Sequence, residues 1–213
     1  MKIANIYNHL NGEEFLRFRK PQIWTEINAA IKSINANEYI KLSKDKTMNG
    51  REIYDQKGIN KAFEQYLIPL GWAEHKIDYF VTGDLETARE ISNIREKDEQ
   101  EKIIKSKGLE PLRTNNQVDF IKQRVAIEIQ FGKYFSVAYD LHVKHTFFFL
   151  RNDIDVGIEI IPTREMMRRM DSGVAWFENE VANVIREGRS NPTVPLIIIG
   201  IEPEKLIEPP KKQ

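Results

Sequence analysis

The chain has 213 residues, with 32 Lys and Arg matched by 32 Asp and Glu, so its formal charge at neutral pH is zero. At 41% hydrophobic and 30% charged residues it has enough apolar surface for a core, which excludes a disordered chain, and the charge balance argues against coating nucleic acid through bulk positive charge. The absence of cysteine excludes disulfide frameworks, thiolate metal sites and cysteine nucleophiles, leaving oxygen or imidazole for any metal. Along the chain, the first half reads as largely helical. Pro21 suits a first helical turn, and Ile23, Ile27, Ala30, Ile31 and Ile34 follow as one apolar stripe. Ile59, Phe63, Tyr66 and Leu67 repeat that spacing before Pro69 and Gly71 stop it. The run Ile77-Asp78-Tyr79-Phe80-Val81 suits a strand, and helix resumes from Asp84 into the charged stretch 95–102, a solvated face laced with opposite charges.

From Gln117 the pattern changes to alternation. Val118 to Ile121 and Val125 to Phe131, separated by Lys122-Gln123-Arg124, predict a hairpin. Strand-like or buried segments are expected at 139–150 and 154–161, followed by a short helix after Pro162-Thr163 with Met166, Met167 and Met170 on one face as core filler. A helix carrying Val174, Phe177, Val181, Val184 and Ile185 inward ends at Gly188, and Val194 to Ile201 reads as a buried strand. The expected fold is α/β, a central mixed β-sheet flanked by helices in a single domain over 1–213, with 203–213 as a flexible tail containing Pro203, Pro209 and Pro210. No apolar run spans a bilayer and no signal-peptide core opens the chain, so a cytoplasmic location with no membrane partner is expected.

Chemistry concentrates at Asp119, Glu128 and Gln130. Side chains alternate faces along a strand, so Val125, Ile127, Ile129 and Phe131 share one face while Glu128 and Gln130 share the other. A turn centred on Gln123-Arg124 sets Asp119 opposite Glu128. Two facing carboxylates repel unless a cation lies between them, and oxygen donors favour Mg²⁺. Spacing alone is a weak signal, since an acid followed by Glu-x-Gln on an apolar strand arises readily by chance.

The neighbours sharpen it. Val118-Asp119, Glu128-Ile129-Gln130 and the following Phe131-Gly132-Lys133-Tyr134 resemble the active-site segment of the BglII-like type II restriction endonucleases, a branch of the PD-(D/E)xK nuclease superfamily. The resemblance implies a restriction-endonuclease-like core and a homodimer acting on double-stranded DNA, with Mg²⁺ and no organic cofactor. It further implies a bacterial source and cleavage at a palindromic GATC-centred site, purine-GATC-pyrimidine, leaving 5′ phosphates and 5′ overhangs. On the same basis Asp119 and Glu128 ligate Mg²⁺, with Ile129 as a further metal contact. Gln130 stands where most of the superfamily has Lys. An amide takes no proton at neutral pH, so Gln130 can orient the attacking water but cannot be the general base.

Other assignments follow from the resemblance. Glu86 is the upstream polar residue, with Asp84 as its competitor, although an acid near a helix start also serves the macrodipole. Lys133 reads guanine from the loop after the catalytic strand, and Ser172 and Gly173 form a second reading loop. Ser172 is alternatively the N-cap of the following helix. From the residues themselves, Arg164, Arg168 and Arg169 are candidates for phosphate contact or ordinary helix surface. His142 and His145, placed in a strand, would face opposite sides and not share a metal. Two other readings are a non-catalytic sequence-specific DNA-binding protein and a less specific repair nuclease of the same superfamily.

Overall fold

A computed structural model describes residues 1–46 and 48–208. The elements in chain order are β1 (Lys2–His9), α1 (Gly12–Arg19), α2 (Pro21–Ser33), β2 (Ile40–Leu42), β3 (Glu52–Tyr54), α3 (Gln56–Leu67), β4 (Ala73–Val81), α4 (Leu85–Ile91), α5 (Lys97–Ser106), β5 (Leu112–Lys122) and β6 (Val125–Ile129). They continue with α6 (Tyr134–Tyr139), a π-helical turn (Asp140–Lys144), α7 (His145–Leu150), β7 (Val156–Pro162), α8 (Arg164–Met167), α9 (Phe177–Glu187) and β8 (Leu196–Glu202). Residues 1–73 with the chain from Asp119 onward form one compact unit, and residues 74–118 form a second.

The expected α/β architecture with a central mixed sheet is present. Strand order is β1-β8-β7-β6-β5-β4. In the first unit β7 lies parallel to both β6 and β8, while β1 and the end of β5 pair antiparallel at either side. The interior position of β6 and β7 explains why every residue of both is buried, as strands covered on two faces must be. The Ile127, Ile129, Ile158 and Ile160 side chains join the main core with α2 and α3. β2 and β3 pair separately as a short hairpin.

Several expectations need correction. β1 falls inside the half read as helical. Residues 139–150 are helical, and their buried positions Leu141, His145 and Phe148 follow helical spacing. Within the presumed inward stripe of α9, Val184 is buried but Ile185 is exposed. The expected tail is fastened in its first part: Leu206 and Ile207 pack on the core, and the Ile207 N–H donates to Tyr54 Oη at 3.0 Å. Pro209 and Pro210 lie outside the described residues. No helix among the described residues is long and apolar enough to cross a membrane.

In the second unit, Asp84 caps α4 by accepting the Thr87 N–H at 2.8 Å. Gln100 on α5 accepts the Phe80 N–H of β4 at 2.9 Å. The charged stretch 95–102 is indeed mostly exposed.

Candidate active site

The β5–β6 connection is a two-residue turn in which Gln123 (φ 47°) and Arg124 (φ 64°) both take left-handed backbone, the geometry that matches strand twist in a tight hairpin. Neither residue favours that conformation by itself. Arg124 is anchored instead by its guanidinium, with Nε 2.9 Å from Asp155 Oδ1 and Nη2 2.7 Å from Asn152 Oδ1. The turn sets the register Lys122 to Val125, Ile121 to Ala126 and Phe120 to Ile127. One step further places Asp119 opposite Glu128, as the sequence predicts. There the backbone ladder ends, and Asp119 Oδ2 accepts the Ile129 N–H at 3.2 Å.

The two acids occupy different surroundings. Asp119 is exposed, whereas Glu128 is 1% exposed beneath the helix that follows its strand. Burial, then the negative charges of Asp119 and Asp140, push the Glu128 carboxyl well above its ordinary range. Lys144 offsets part of this, with Nζ 3.0 Å from Glu128 Oε1 and 2.7 Å from Asp140 Oδ1. Asp140 and Lys144 belong to the π-helical turn, in which the His145 N–H donates to the Asp140 carbonyl five residues back. Gln130 is tied into the same group. Its Oε1 accepts the Gly132 N–H at 2.7 Å and its Nε2 donates to Asp140 Oδ2 at 3.0 Å. One lone pair and one hydrogen of the amide remain available for a water.

A third acid lies on this face. Glu159 of β7 is in register with Glu128 of β6, is fully buried, and neither carboxylate oxygen has a hydrogen-bond partner. Burial and the nearby charges of Asp140 and Glu128 raise its carboxyl well above the usual range. His145 Nε2 stands 3.5 Å from Glu159 Oε2 without a hydrogen bond. Burial, with Lys144 adjacent, lowers the imidazole to about 3, so it is neutral. Among the described residues no three His, Asp or Glu side chains converge as a ready metal cage. Two facing carboxylates with oxygen-only donors nevertheless fit an ion such as Mg²⁺, which usually takes one or two carboxylates and fills its remaining positions with water and phosphate. Asp119 and Glu128 would hold it, with the Ile129 carbonyl as the further contact.

The two loops expected to read bases meet. Lys133 and Val174 form an antiparallel bridge, the Tyr134 N–H donates to the Gly173 carbonyl at 3.0 Å, and the Ala175 N–H donates to the Gly132 carbonyl at 3.3 Å. Gly173 sits at φ 81°, a left-handed position that suits glycine. Ser172 is not a helix cap, because α9 starts at Phe177 with Trp176 at the N-cap. Its hydroxyl donates to Asp45 Oδ2 at 2.5 Å. Lys41, Lys44, Lys57, Lys133 and Ser172 line a cleft of about 610 Å³.

The family of restriction endonuclease BglII/BglIII matches residues 4–201. The chain belongs to this family. Its members are type II site-specific deoxyribonucleases, and the chain is an enzyme of that class. Among solved structures, restriction endonuclease BglII complexed with a DNA 16-mer is 19% identical, with a TM-score of 0.64 over 96% of this chain and 79% of that one. Free BglII is 17% identical, with a TM-score of 0.60 over 97% of this chain and 82% of that one. At this identity the two structures bear on the fold alone. No curated protein matches the chain.

The remaining predicted residues of this BglII-family chain fall unevenly. Arg164 and Arg168 are exposed, the latter 3.5 Å from Glu165. Arg169 departs from the phosphate-contact expectation: it is 8% exposed, and its guanidinium donates to the Ile207 and Glu165 carbonyls. Glu86 is exposed in the first turn of α4 in the second unit, where its competitor Asp84 is occupied as the cap. His142 pairs with Glu187 at 3.1 Å while His145 is buried against Glu159, so they share no ligand, although through a helix and not a strand. Sequence reading missed Asp140, Lys144 and Glu159. The Asp140-x-x-x-Lys144 spacing is the signal for the first two, and it becomes meaningful once that segment is read as helix.

Proposed function

We propose that this enzyme cleaves double-stranded DNA at a palindromic GATC-centred sequence, purine-GATC-pyrimidine, as a Mg²⁺-dependent cytoplasmic homodimer, the whole chain acting as one endonuclease domain. The observation that carries the reading is the hairpin register that sets Asp119 across from the buried Glu128, one strand-end away from the Lys133 and Ser172 loops. When bound, the metal would lower the pKa of a water and neutralise charge on the phosphate. The chain's own residues set the geometry. Asp119 and Glu128 would hold the ion, and Gln130 has one donor and one acceptor left to align a water. The exposed Lys133 supplies a donor that suits guanine edges in the major groove. Water oxygen bonds to phosphorus as the bond to the 3′ oxygen breaks, leaving a 3′ hydroxyl and a 5′ phosphate. Arg164 and Arg168 are proposed as phosphate contacts.

Cutting both strands of a palindrome requires two sites related by a two-fold axis, which supports the homodimer. Incubation with plasmid and Mg²⁺ tests the reading. Discrete fragments with 5′ overhangs at GATC-centred sites are expected; a smear would indicate a less specific nuclease, and discrete fragments ending at another sequence would overturn the proposed target. Asp119→Asn should abolish cleavage while duplex binding in Ca²⁺ persists, because the amide removes a metal ligand without removing base or phosphate contacts. Full activity of that variant overturns the ligand assignment.

A further inference from the structure

The strand position that could carry a lysine holds Gln130, and the cation of this face comes from elsewhere. The π-helical turn brings Lys144 over the end of β6. Its ammonium touches Glu128 Oε1 at 3.0 Å and Asp140 Oδ1 at 2.7 Å with a side chain 19% exposed. The contact is built from both sides. Asp140 is itself fixed by Gln130 Nε2 at 3.0 Å, and Gln130 by the Gly132 N–H at 2.7 Å. Extra residues in a helical turn are commonly placed where a site needs a side chain re-aimed. Here the five-residue hydrogen bond from the His145 N–H to the Asp140 carbonyl spans the segment that delivers both members of the pair. Glu159, beside Glu128 in the sheet, is also buried and has no hydrogen-bond partner, so three buried acids gather around Lys144.

We propose that Lys144 is a positioning residue that acts as a counter-ion built into the metal site: it bridges Glu128 and Asp140 and competes with the divalent ion for Glu128. This rests on the assignment of Asp119 and Glu128 as metal ligands. A fixed positive charge this close to a divalent ion opposes its binding, because like charges a few ångströms apart in a partly buried site interact strongly. The lysine thereby keeps the buried acids compatible with folding and sets how much metal the enzyme needs. A lysine serving only as a structural ion pair would behave differently: its loss would loosen Glu128 and weaken metal binding or leave it unchanged.

The experiment titrates the full-length protein with Mn²⁺ alone, following free Mn²⁺ by electron paramagnetic resonance, for the parent, Lys144→Met, Lys144→Arg and Glu128→Gln. The parent should bind Mn²⁺, Lys144→Met should bind it roughly tenfold more tightly, and Lys144→Arg, which keeps the charge, should stay closer to the parent than Lys144→Met does. Thermal melting without metal should fall for Lys144→Met and recover when Mn²⁺ is added. Unchanged or weaker Mn²⁺ binding by a folded Lys144→Met overturns the counter-ion role while leaving the ligand assignment intact. Parent binding that Glu128→Gln does not weaken overturns the ligand assignment, and the counter-ion role with it. If Lys144→Met does not fold, Lys144→Gln carries the same expectation, and equal Mn²⁺ affinity of Lys144→Gln and the parent is decisive against it.

Discussion

Gly132 lies between the end of β6 and the loop that carries Lys133, and its lack of a side chain matters to both. A Cβ added there would lie 2.3 Å from Gln130 Oε1. That atom is the end of a flexible side chain, so the fold can absorb the methyl by rotating the amide away, but only by breaking the bond from the Gly132 N–H and shifting the link to Asp140. Gly132→Ala should therefore melt close to the parent and cleave roughly 10- to 100-fold more slowly, the scale expected when a positioned group moves by about an ångström. Single-turnover cleavage under saturating enzyme measures this directly, and parental rates would show that Gln130's placement is irrelevant. Asp119, Glu128 and Gln130 were legible from sequence because strand alternation and a two-residue turn fix their register. Glu159 was not, since nothing local indicates which strand lies beside β6 in a parallel sheet.

At the scale of elements, α1 shows how closely helix and sheet are fitted. A Cβ on Gly12 would stand 2.9 Å from both the backbone N and O of Leu196 on β8. Backbone atoms of an interior strand cannot rotate aside. Gly12→Ala should destabilise the protein by about 2 kcal/mol, the usual cost of overpacking, read as a lower denaturant midpoint with unchanged slope; an unaltered midpoint would mean that α1 shifts freely on the sheet. The elements themselves were unevenly legible. α2, α3, the hairpin, β7 and β8 follow from apolar periodicity and from Pro and Gly punctuation. β1 was hidden because Lys2–His9 alternates weakly, with one buried residue. The 139–150 segment was misread because its phenylalanine run mimics a strand, while the helical pattern of Val137, Leu141, His145 and Phe148 is carried partly by a histidine. A buried neutral imidazole counts as apolar in packing and as polar in a sequence pattern.

For the molecule as a whole, balanced charge conceals strong local imbalance, and stability against pH follows from the imbalance. Glu159 meets Glu128, Asp140 and Asp119 as like charges and Lys144 as the opposing one, with His145 packed beside it. Its folded carboxyl is raised well above the ordinary 4.5, so above that pH the native state keeps a proton that the unfolded chain has released. Stability then declines as pH rises through the folded value. His145 acts in the opposite direction. Lowered from 6.5 to about 3, it stays neutral while the unfolded imidazole binds a proton, so acidification below 6.5 is destabilising. The two slopes oppose one another between 4.5 and 6.5, and above 6.5 the buried acids act alone. Glu159→Gln replaces the carboxyl with a group of similar shape that needs no proton to remain neutral. The variant's melting temperature should gain on the parent as pH rises above 4.5 toward the raised folded value, with the difference shrinking toward pH 4.5, as followed by thermal scans across pH. A constant difference at every pH would mean that Glu159 does not hold its proton in the folded protein, and that the unpartnered acid beside Glu128 is charged.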